Sequence, residues 1–375
     1  MTLPCSSKKQ TLLSAVFYLI LITSIFYAPA LFNDFVNYDD PTLLFENPLI
    51  QHCSLADMGR IFQELWTGHY SRFNPLGYIV YMIIHGLAGF NPHWFHAASV
   101  FFHLAATAAA FVLARQLTDN TRVSWICALL FGIHPIQVEA VAWISALPYA
   151  MYTLFYFLTV SAYWTALQHG TRRWSWLAVS LGFFIMAGSC FSGGAVTLPA
   201  VLFAVTVFKD RRLDWRQAPP LIPFILLAAV FVHLTLHTAL HADVITTPYF
   251  NNHGFTLAER INLSAVSIIL YVQQILFPYQ FTIQYPQGYF LPISNAWITA
   301  GLALIPLLLI INRGRFFRWR FFCLGIAFFL ITLAPFSKLY SNSTSITQDR
   351  YAYLASFGLF LFLAEMMDRL LNQKR

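Results

Sequence analysis

Charged residues are scarce in this chain, and their scarcity excludes a large soluble domain. Asp, Glu, Lys and Arg make up 10% of the 375 residues, whereas hydrophobic residues make up 58%. Soluble globular domains carry roughly 25% charged residues. The sequence therefore predicts an integral membrane protein in which most residues lie in the bilayer.

Three other features are missing. The five cysteines (Cys5, Cys53, Cys127, Cys190, Cys323) show no spacing typical of a disulfide framework or a thiolate metal site. The net charge is +7, but the basic residues form short clusters between apolar runs and no basic face, which argues against nucleic acid as a partner. No internal repeat, low-complexity tract or soluble domain is visible. We predict a single membrane domain, 1–375.

The long apolar runs are what the sequence has in abundance. A transmembrane helix needs about 20 apolar residues. The first run, 11–31, ends at Ala28-Pro29-Ala30 like a signal peptide, but its length favours a retained anchor. Candidate spans are 11–31, 94–115, 123–143, 147–167, 175–191, 195–208, 219–239, 296–312, 319–336 and 352–370.

Two weaker apolar stretches, 75–90 and 262–277, decide between ten and twelve spans. Lys and Arg collect on the cytoplasmic side of membrane proteins. With ten spans and a cytoplasmic N-terminus, all but five of the 22 Lys and Arg residues fall on that side. With twelve, the basic residues from Arg115 to Arg216 would move outside. We therefore predict an all-α polytopic protein with about ten transmembrane helices and both termini cytoplasmic.

In this topology the stretches 75–90 and 262–277 become juxtamembrane helices on the outer face. The first lies in a large outer loop, 32–93, and the second in a loop at 240–295. Pro75 suits the first turn of a helix, and Asn74 is expected to cap it.

Adjacent carboxylates, Asp39 and Asp40, begin the first outer loop directly after the first span. Like charges side by side repel, so a solvated loop tip or a catalytic pair at the bilayer surface would explain them. Glu139 and His134 lie at the outer end of the third span, where an ionisable residue is a functional candidate; a water-facing helix cap is the alternative for Glu139.

Five basic residues remain on the predicted outer side: Arg60, Arg72, Arg260, Lys338 and Arg350. An Arg fork matches phosphate geometry. We select Arg350, which stands between Asp349 and Tyr351 before the last span, and Arg72 and Arg260, which begin the two juxtamembrane helices. Contacts with lipid headgroups or salt bridges are the alternatives. No metal or other cofactor is predicted, although first-loop carboxylates could hold a divalent ion.

An ordered set of motifs resembles a known family. It runs through Asn37-Tyr38-Asp39-Asp40, Asn47-Pro48, Arg72-x-x-Pro75-Leu76, Gly89-x-Asn91-Pro92, His96, His103, Phe131-x-x-His134-Pro135-x-x-x-Glu139-Ala140-Val141-Ala142-Trp143, Thr197-Leu198-Pro199 and Asp349-Arg350-Tyr351-x-Tyr353-Leu354. Together these resemble the membrane module of the transmembrane-and-tetratricopeptide-repeat O-mannosyltransferases and their bacterial relatives, within the GT-C glycosyltransferase fold.

The resemblance implies sugar transfer from a polyprenyl-phosphate donor to a hydroxyl of a protein, glycan or lipid. The reaction would occur on the periplasmic side of a bacterial inner membrane. The first-loop acid would activate the acceptor, so Asp39 is the expected base and Asp40 its partner. Arg350, with Arg72 or Arg260, would hold the donor phosphate, while Glu139, His134, Asp349 and Tyr351 would support the site.

The chain also departs from this family. The tetratricopeptide repeats are absent, and Ala146-Leu147-Pro148-Tyr149 and Ser192-Gly193-Gly194 stand where relatives often carry charges. Two alternatives therefore remain: a transporter or flippase for a lipid-linked sugar, and a non-catalytic membrane scaffold derived from an enzyme. The outward clustering of ionisable residues favours the transferase, since a transporter would carry them near the bilayer midplane.

Overall fold

The computed structural model describes residues 5–67, 73–211, 219–241, 256–279, 281–285, 320–339 and 345–373. Helices dominate these segments. They are α1 (Cys5–Tyr27), α2 (Leu55–Thr67), α3 (Pro75–Ala88), α4 (Pro92–Thr118), α5 (Thr121–Ile133), α6 (Val138–Ala142), α7 (Leu147–Gln168), α8 (Arg173–Cys190), α9 (Ser192–Ala195), α10 (Leu198–Asp210), α11 (Ile222–His241), α12 (Leu257–Leu276), α13 (Arg320–Leu333) and α14 (Ala352–Gln373).

Within the described segments, five helices are long and apolar enough to cross a membrane. A sixth is obtained if α5 and the 135–142 segment, bent by 52° relative to each other, form one span. Helices also occupy the remaining predicted spans at 175–191, 319–336 and 352–370. The predicted span 296–312 lies outside the described residues. The protein is therefore a multi-helical membrane protein, and the count of ten spans stays a prediction.

Both stretches that the charge pattern assigns to the outer face are helical. They correspond to α3 and α12, and their position at the membrane surface stays a prediction. Pro75 stands in the first turn of α3, but the expected side-chain cap is wrong: Asn74 precedes the helix without making a capping hydrogen bond. Thr256 and Glu259 form a reciprocal capping box at the start of α12.

The core forms where α4, α5, α7 and α14 pack together, with α8 against α7 and α13 against α14. Buried polar groups tie three of these helices. His103 of α4 lies 2.7 Å from the Tyr353 hydroxyl of α14 and 2.9 Å from the Gly132 carbonyl of α5. Because such groups are costly to leave unpaired away from water, this network fixes how α4, α5 and α14 meet.

The α13–α14 contact depends on two facing glycines. A Cβ added to Gly325 would lie 2.4 Å from the Gly358 carbonyl oxygen, and one added to Gly358 would lie 2.3 Å from the Gly325 carbonyl oxygen. Small residues of this kind let membrane helix backbones approach closely. The Asp349–Tyr351 turn, which carries predicted site residues, leads directly into α14.

We expect Gly325→Ala to destabilise the protein by about 1–3 kcal/mol, because the added methyl group must separate two packed backbones. The measurement is unfolding of purified protein in mixed micelles. Gly182→Ala in α8, where an added Cβ meets nothing within 4 Å, is the matched control and should leave stability unchanged or slightly raised. Equal stability of the two variants would contradict this packing.

Candidate active site

The break between α5 and α6 brings predicted site residues of this region together. Pro135 cannot continue α5, and a short 3-10 turn, Pro135–Gln137, leads into α6. A second 3-10 turn, Asp349–Tyr351, lies against α6 and leads into α14. Glu139 of α6 and Arg350 of the second turn meet where these two turns pack.

Glu139 and Arg350 form a buried ion pair. The Glu139 carboxylate accepts hydrogen bonds from the Arg350 guanidinium and, at 2.8 Å, from the Arg350 backbone N–H. The Arg350 side chain is only 4% exposed and that of Glu139 12% exposed. Removing either partner of such a pair leaves an uncompensated buried charge, which is strongly destabilising.

Trp143 connects this pair to the first loop. The Arg350 guanidinium lies 4.7 Å from the centroid of the Trp143 ring and 5.3 Å from that of Tyr351, in cation–π geometry. The indole Nε1 donates a hydrogen bond of 3.1 Å to Asp40 Oδ1. One aromatic side chain therefore contacts both the predicted phosphate-binding arginine and one of the predicted catalytic acids.

Asp40 is fully buried and hydrogen-bonded at both oxygens. Oδ1 accepts from Trp143 Nε1, from the Ser145 backbone N–H at 3.2 Å and from the Ser145 hydroxyl, while Oδ2 accepts from the Val36 N–H at 2.9 Å. This arrangement fixes the first loop against the turn that follows α6.

Asp39 has a different environment from its neighbour. It is half-buried, and its backbone carbonyl accepts from the Leu43 N–H at 2.9 Å, which begins the turn Pro41–Phe45. No hydrogen bond to its carboxylate occurs within the described residues. The two adjacent acids therefore differ in hydrogen bonding: protein groups donate to the Asp40 carboxylate, and none of the described residues donates to the Asp39 carboxylate.

A cavity of about 420 Å³ opens beside the ion pair. Its wall is mainly apolar and aromatic, contributed by the first loop, by the region around α6 and by residues 281–283. Glu139 and Asp349 supply its carboxylates, and Tyr38 and Trp143 its polar aromatic rings. Apolar pockets with a few convergent polar groups are typical of ligand sites.

Asp349 is the more deeply buried of the two carboxylates that line this cavity. It is 4% exposed, and its Oδ2 is 3.4 Å from the Tyr285 hydroxyl. Its Oδ1 makes no hydrogen bond of ordinary geometry in the described part of the chain, but the Gln274 side chain lies beside the carboxylate and favours its ionised form. Burial, and next the nearby negative charge of Glu139, raise the pKa of Asp349 to about 7. The carboxyl therefore changes charge near neutral pH.

His134 is held by hydrogen bonds and Tyr351 by ring stacking. His134 Nε2 lies 3.0 Å from the Ile275 carbonyl near the end of α12, and its Nδ1 accepts from the Ile136 N–H at 3.2 Å. This assigns the proton to Nε2. Tyr351 stacks on Phe336 with ring centroids 4.5 Å apart. The two residues anchor the turns that carry Glu139 and Arg350.

The structure tests only one of the other two predicted arginines. Arg72 lies outside the described residues. Arg260 is in the first turn of α12, and at 1.5 Å rise per residue it stands about 22 Å along the axis from Ile275, which contacts His134. Its assignment to the donor phosphate stays a prediction. Within the described residues no group of three or more potential metal ligands is present.

Sequence reasoning missed Trp143, Ser145 and Tyr285 as site residues. Trp143 ends the motif that contains His134 and Glu139, so its position in that motif was the available signal. Ser145 and Tyr285 lie in no motif, and only the folded chain brings them to Asp40 and Asp349.

The similarities to known proteins agree with these motifs. The chain is 28% identical to Protein O-mannosyl-transferase TMTC2 of Mus musculus over 162 residues, 42% of this chain and 19% of that protein. It is 27% identical to Protein O-mannosyl-transferase TMTC1 of Homo sapiens over 180 residues, 46% of this chain and 20% of that protein. It is 21% identical to Protein O-mannosyl-transferase F38B6.6 of Caenorhabditis elegans over 370 residues, 94% of this chain and 51% of that protein.

No family model matches the chain. Among solved structures, the chain is similar to ArnT from Cupriavidus metallidurans bound to undecaprenyl phosphate, with 13% identity and a TM-score of 0.48. The superposition includes 98% of this chain and 61% of the ArnT chain. The predicted resemblance to membrane O-mannosyltransferases is confirmed by the mouse and human relatives. The chain spans between a fifth and a half of the length of the three curated relatives named above.

We expect Glu139→Gln to destabilise the protein by about 3–5 kcal/mol, because it leaves the buried Arg350 charge without a counter-charge. Unfolding in mixed micelles measures the effect. The control is Glu365→Gln in α14, which removes one partner of the half-exposed Arg369 and should cost about 0.3–0.5 kcal/mol. Similar losses in the two variants would show that the Glu139–Arg350 pair is not buried as described.

Asp349 should make stability fall as pH rises from about 4 to 7. Its folded-state pKa lies above the ordinary value for Asp, so the folded protein binds more protons than the unfolded chain across this range. Asp349→Asn should remove a destabilisation on the order of 2–4 kcal/mol at pH 7, seen as a flatter profile of melting temperature against pH. Glu46→Gln, an exposed first-loop acid, should keep the wild-type slope. An unchanged slope in Asp349→Asn would contradict the burial of this carboxyl.

Proposed function

We propose that this protein is a GT-C membrane glycosyltransferase that moves a sugar from a polyprenyl-phosphate donor to a hydroxyl acceptor. The observation that carries the proposal is a cavity with an apolar wall and two carboxylates, Glu139 and Asp349. Glu139 is also the ion-pair partner of the buried Arg350, which stands behind the cavity wall. The similarity to protein O-mannosyl-transferases supports mannose as the sugar and a Ser or Thr hydroxyl as the acceptor to test first.

Arg350 would stabilise the leaving phosphate. A guanidinium has five N–H donors, and Arg350 uses Nη1 towards Glu139. Its Nε and Nη2 groups make no hydrogen bond within the described residues, so they can donate to phosphate oxygens. Glu139 and the rings of Trp143 and Tyr351 hold the fork in one orientation, and such preorganised donors supply much of the catalysis in charge-separating reactions.

The chemistry needs one base. The acceptor oxygen attacks the anomeric carbon, the bond from that carbon to the phosphate oxygen breaks, and the phosphate leaves as an anion without a proton donor. The proton of the acceptor hydroxyl passes to a carboxylate. Asp39 is the base that the family resemblance implies, and Asp349 is a second acid of this region, whose Oδ1 makes no hydrogen bond of ordinary geometry in the described part of the chain.

The location follows from the charge pattern. Placing most Lys and Arg residues in the cytoplasm puts the first loop, the turn before α6 and the Asp349–Tyr351 turn on the opposite side. In a bacterium this is the periplasmic side of the inner membrane. The donor would approach from the bilayer, with its lipid chain in contact with membrane lipids.

The test is transfer by purified protein in liposomes. Undecaprenyl-phosphate mannose, with glucose and N-acetylglucosamine analogues as further donors, is supplied with a Ser/Thr-rich peptide, and sugar on the peptide is measured by mass spectrometry. We expect product from the wild type. Donor crossing the bilayer without transfer would favour a flippase, and neither transfer nor binding of undecaprenyl phosphate would favour a scaffold; both outcomes contradict the proposal.

Arg350→Lys should lower kcat/KM for the donor by about 10²–10³-fold, because an ammonium cannot pair with Glu139 and the phosphate as the planar fork does. The same transfer assay measures it. Arg60→Lys, at the exposed Arg60 of α2, is the matched control and should keep wild-type activity. Wild-type kcat/KM in Arg350→Lys would remove Arg350 from the phosphate-binding role.

A further inference from the structure

Trp143 is the side chain at which three parts of the candidate site meet. It is 9% exposed and lines the cavity. The Arg350 guanidinium lies 4.7 Å from the centroid of its ring, and the centroid of the Tyr38 ring lies 5.7 Å away. Its indole N–H donates to Asp40 Oδ1 at 3.1 Å. The first loop and the turn before α14 therefore share one neighbour on the segment that follows α6.

The backbone at Trp143 is fixed by the turn that follows it. Trp143 comes directly after α6 in an extended conformation, with φ −102° and ψ 119°. Its carbonyl accepts from the Ala146 N–H at 3.0 Å, which closes the 3-10 turn Ile144–Ala146. The buried Tyr81 hydroxyl of α3 donates to the Ile144 carbonyl at 2.7 Å. A side chain carried on this backbone has little freedom to move relative to α3 and α7.

The hydrogen bond to Asp40 does more than satisfy an indole. A Trp N–H held away from water needs an acceptor, and a backbone carbonyl is enough, as the Ala15 carbonyl is for Trp125 at 3.2 Å. Trp143 instead donates to a fully buried carboxylate. Hydrogen bonds to ionised groups are roughly twice as strong as neutral ones. This bond therefore restrains the first loop more firmly than a packing contact would.

Asp40 passes this restraint to the residues before it. Its Oδ2 accepts from the Val36 N–H at 2.9 Å, so the carboxylate closes residues 36–40 into one turn. Val36 and Tyr38 of this turn line the cavity. Asp39, the base that the family resemblance implies, stands between Tyr38 and Asp40 in the same turn. The position of the implied base therefore depends on what holds Asp40.

We propose that Trp143 is a positioning residue of this site. Its N–H holds Asp40, and through Asp40 the turn that carries Asp39. Its ring packs on Arg350, so one side chain sets the distance between the implied base and the phosphate-binding guanidinium. The inference rests on the transferase function proposed above and keeps Asp39 as the base. Trp143 makes and breaks no bond, but misplacing reacting groups by about 1 Å can cost about 10²-fold in rate.

The two contacts of Trp143 can be separated by substitution. Trp143→Phe removes the N–H and keeps an aromatic ring for Arg350, whereas Trp143→Leu removes both. Ser145→Ala removes the hydroxyl that donates to the same Asp40 oxygen and leaves Trp143 in place. Trp125→Phe, which removes an indole hydrogen bond between α5 and α1, is the matched control.

The experiment measures two quantities for each variant: transfer from undecaprenyl-phosphate mannose to the Ser/Thr-rich peptide, and binding of undecaprenyl phosphate. We expect Trp143→Phe to lose about 10–10²-fold in kcat, with wild-type affinity for undecaprenyl phosphate. Ser145→Ala should show a smaller loss of the same kind. Trp143→Leu should in addition bind undecaprenyl phosphate about 3–30-fold more weakly, because Arg350 loses the ring that orients it. Trp125→Phe should keep wild-type kcat and affinity.

Three results would overturn the inference and leave the transferase function standing. The first is wild-type kcat in Trp143→Phe. The second is an equal loss of kcat in Trp143→Phe and Trp125→Phe, and the third is a parallel loss of kcat and undecaprenyl phosphate affinity in Trp143→Phe; both would indicate a general structural role. If Trp143→Phe does not fold, wild-type kcat in Ser145→Ala gives the same refutation. A wild type that transfers no sugar would overturn the function and, with it, the inference.

Discussion

The candidate site depends on one buried ion pair. Arg350 is 4% exposed, and its charge is compatible with that burial because Glu139 accepts from both its side chain and its backbone. The pair joins two turns that begin or end membrane helices, and Trp143 packs against it. Since a lone buried charge is strongly disfavoured, the fold around α6 and the entry to α14 are coupled to this contact.

Trp143 extends this coupling to the first loop. Its ring faces Arg350 and its N–H donates to Asp40, so the acid nearest the first span and the arginine before the last helix share one neighbour. The acids of this region differ in their hydrogen bonds. Both oxygens of Asp40 and of Glu139 accept from protein groups, whereas Asp349 Oδ1 accepts none within the described residues.

Much of the fold could be predicted from sequence, because apolar runs and the placement of Lys and Arg report on single helices. Long helices occur at 92–118 and 147–168, and α3 and α12 occur where the charge pattern expects juxtamembrane helices. The site was only partly predictable. Glu139 and Arg350 were candidates, but they are 211 positions apart in the sequence. No local sequence pattern encodes which acidic residue pairs with which distant basic residue. The hydrogen bonds that Trp143 and Ser145 donate to Asp40 likewise form only in the folded chain.

We expect Asp40 and Arg350 to act as one unit through Trp143. A double-mutant cycle measures this directly: the free energy of unfolding in mixed micelles for Asp40→Asn, Arg350→Lys and both together. Groups that share a partner should show a coupling energy of about 0.5–3 kcal/mol. Losses that add within about 0.3–0.5 kcal/mol would mean that the two residues are independent and would contradict the account.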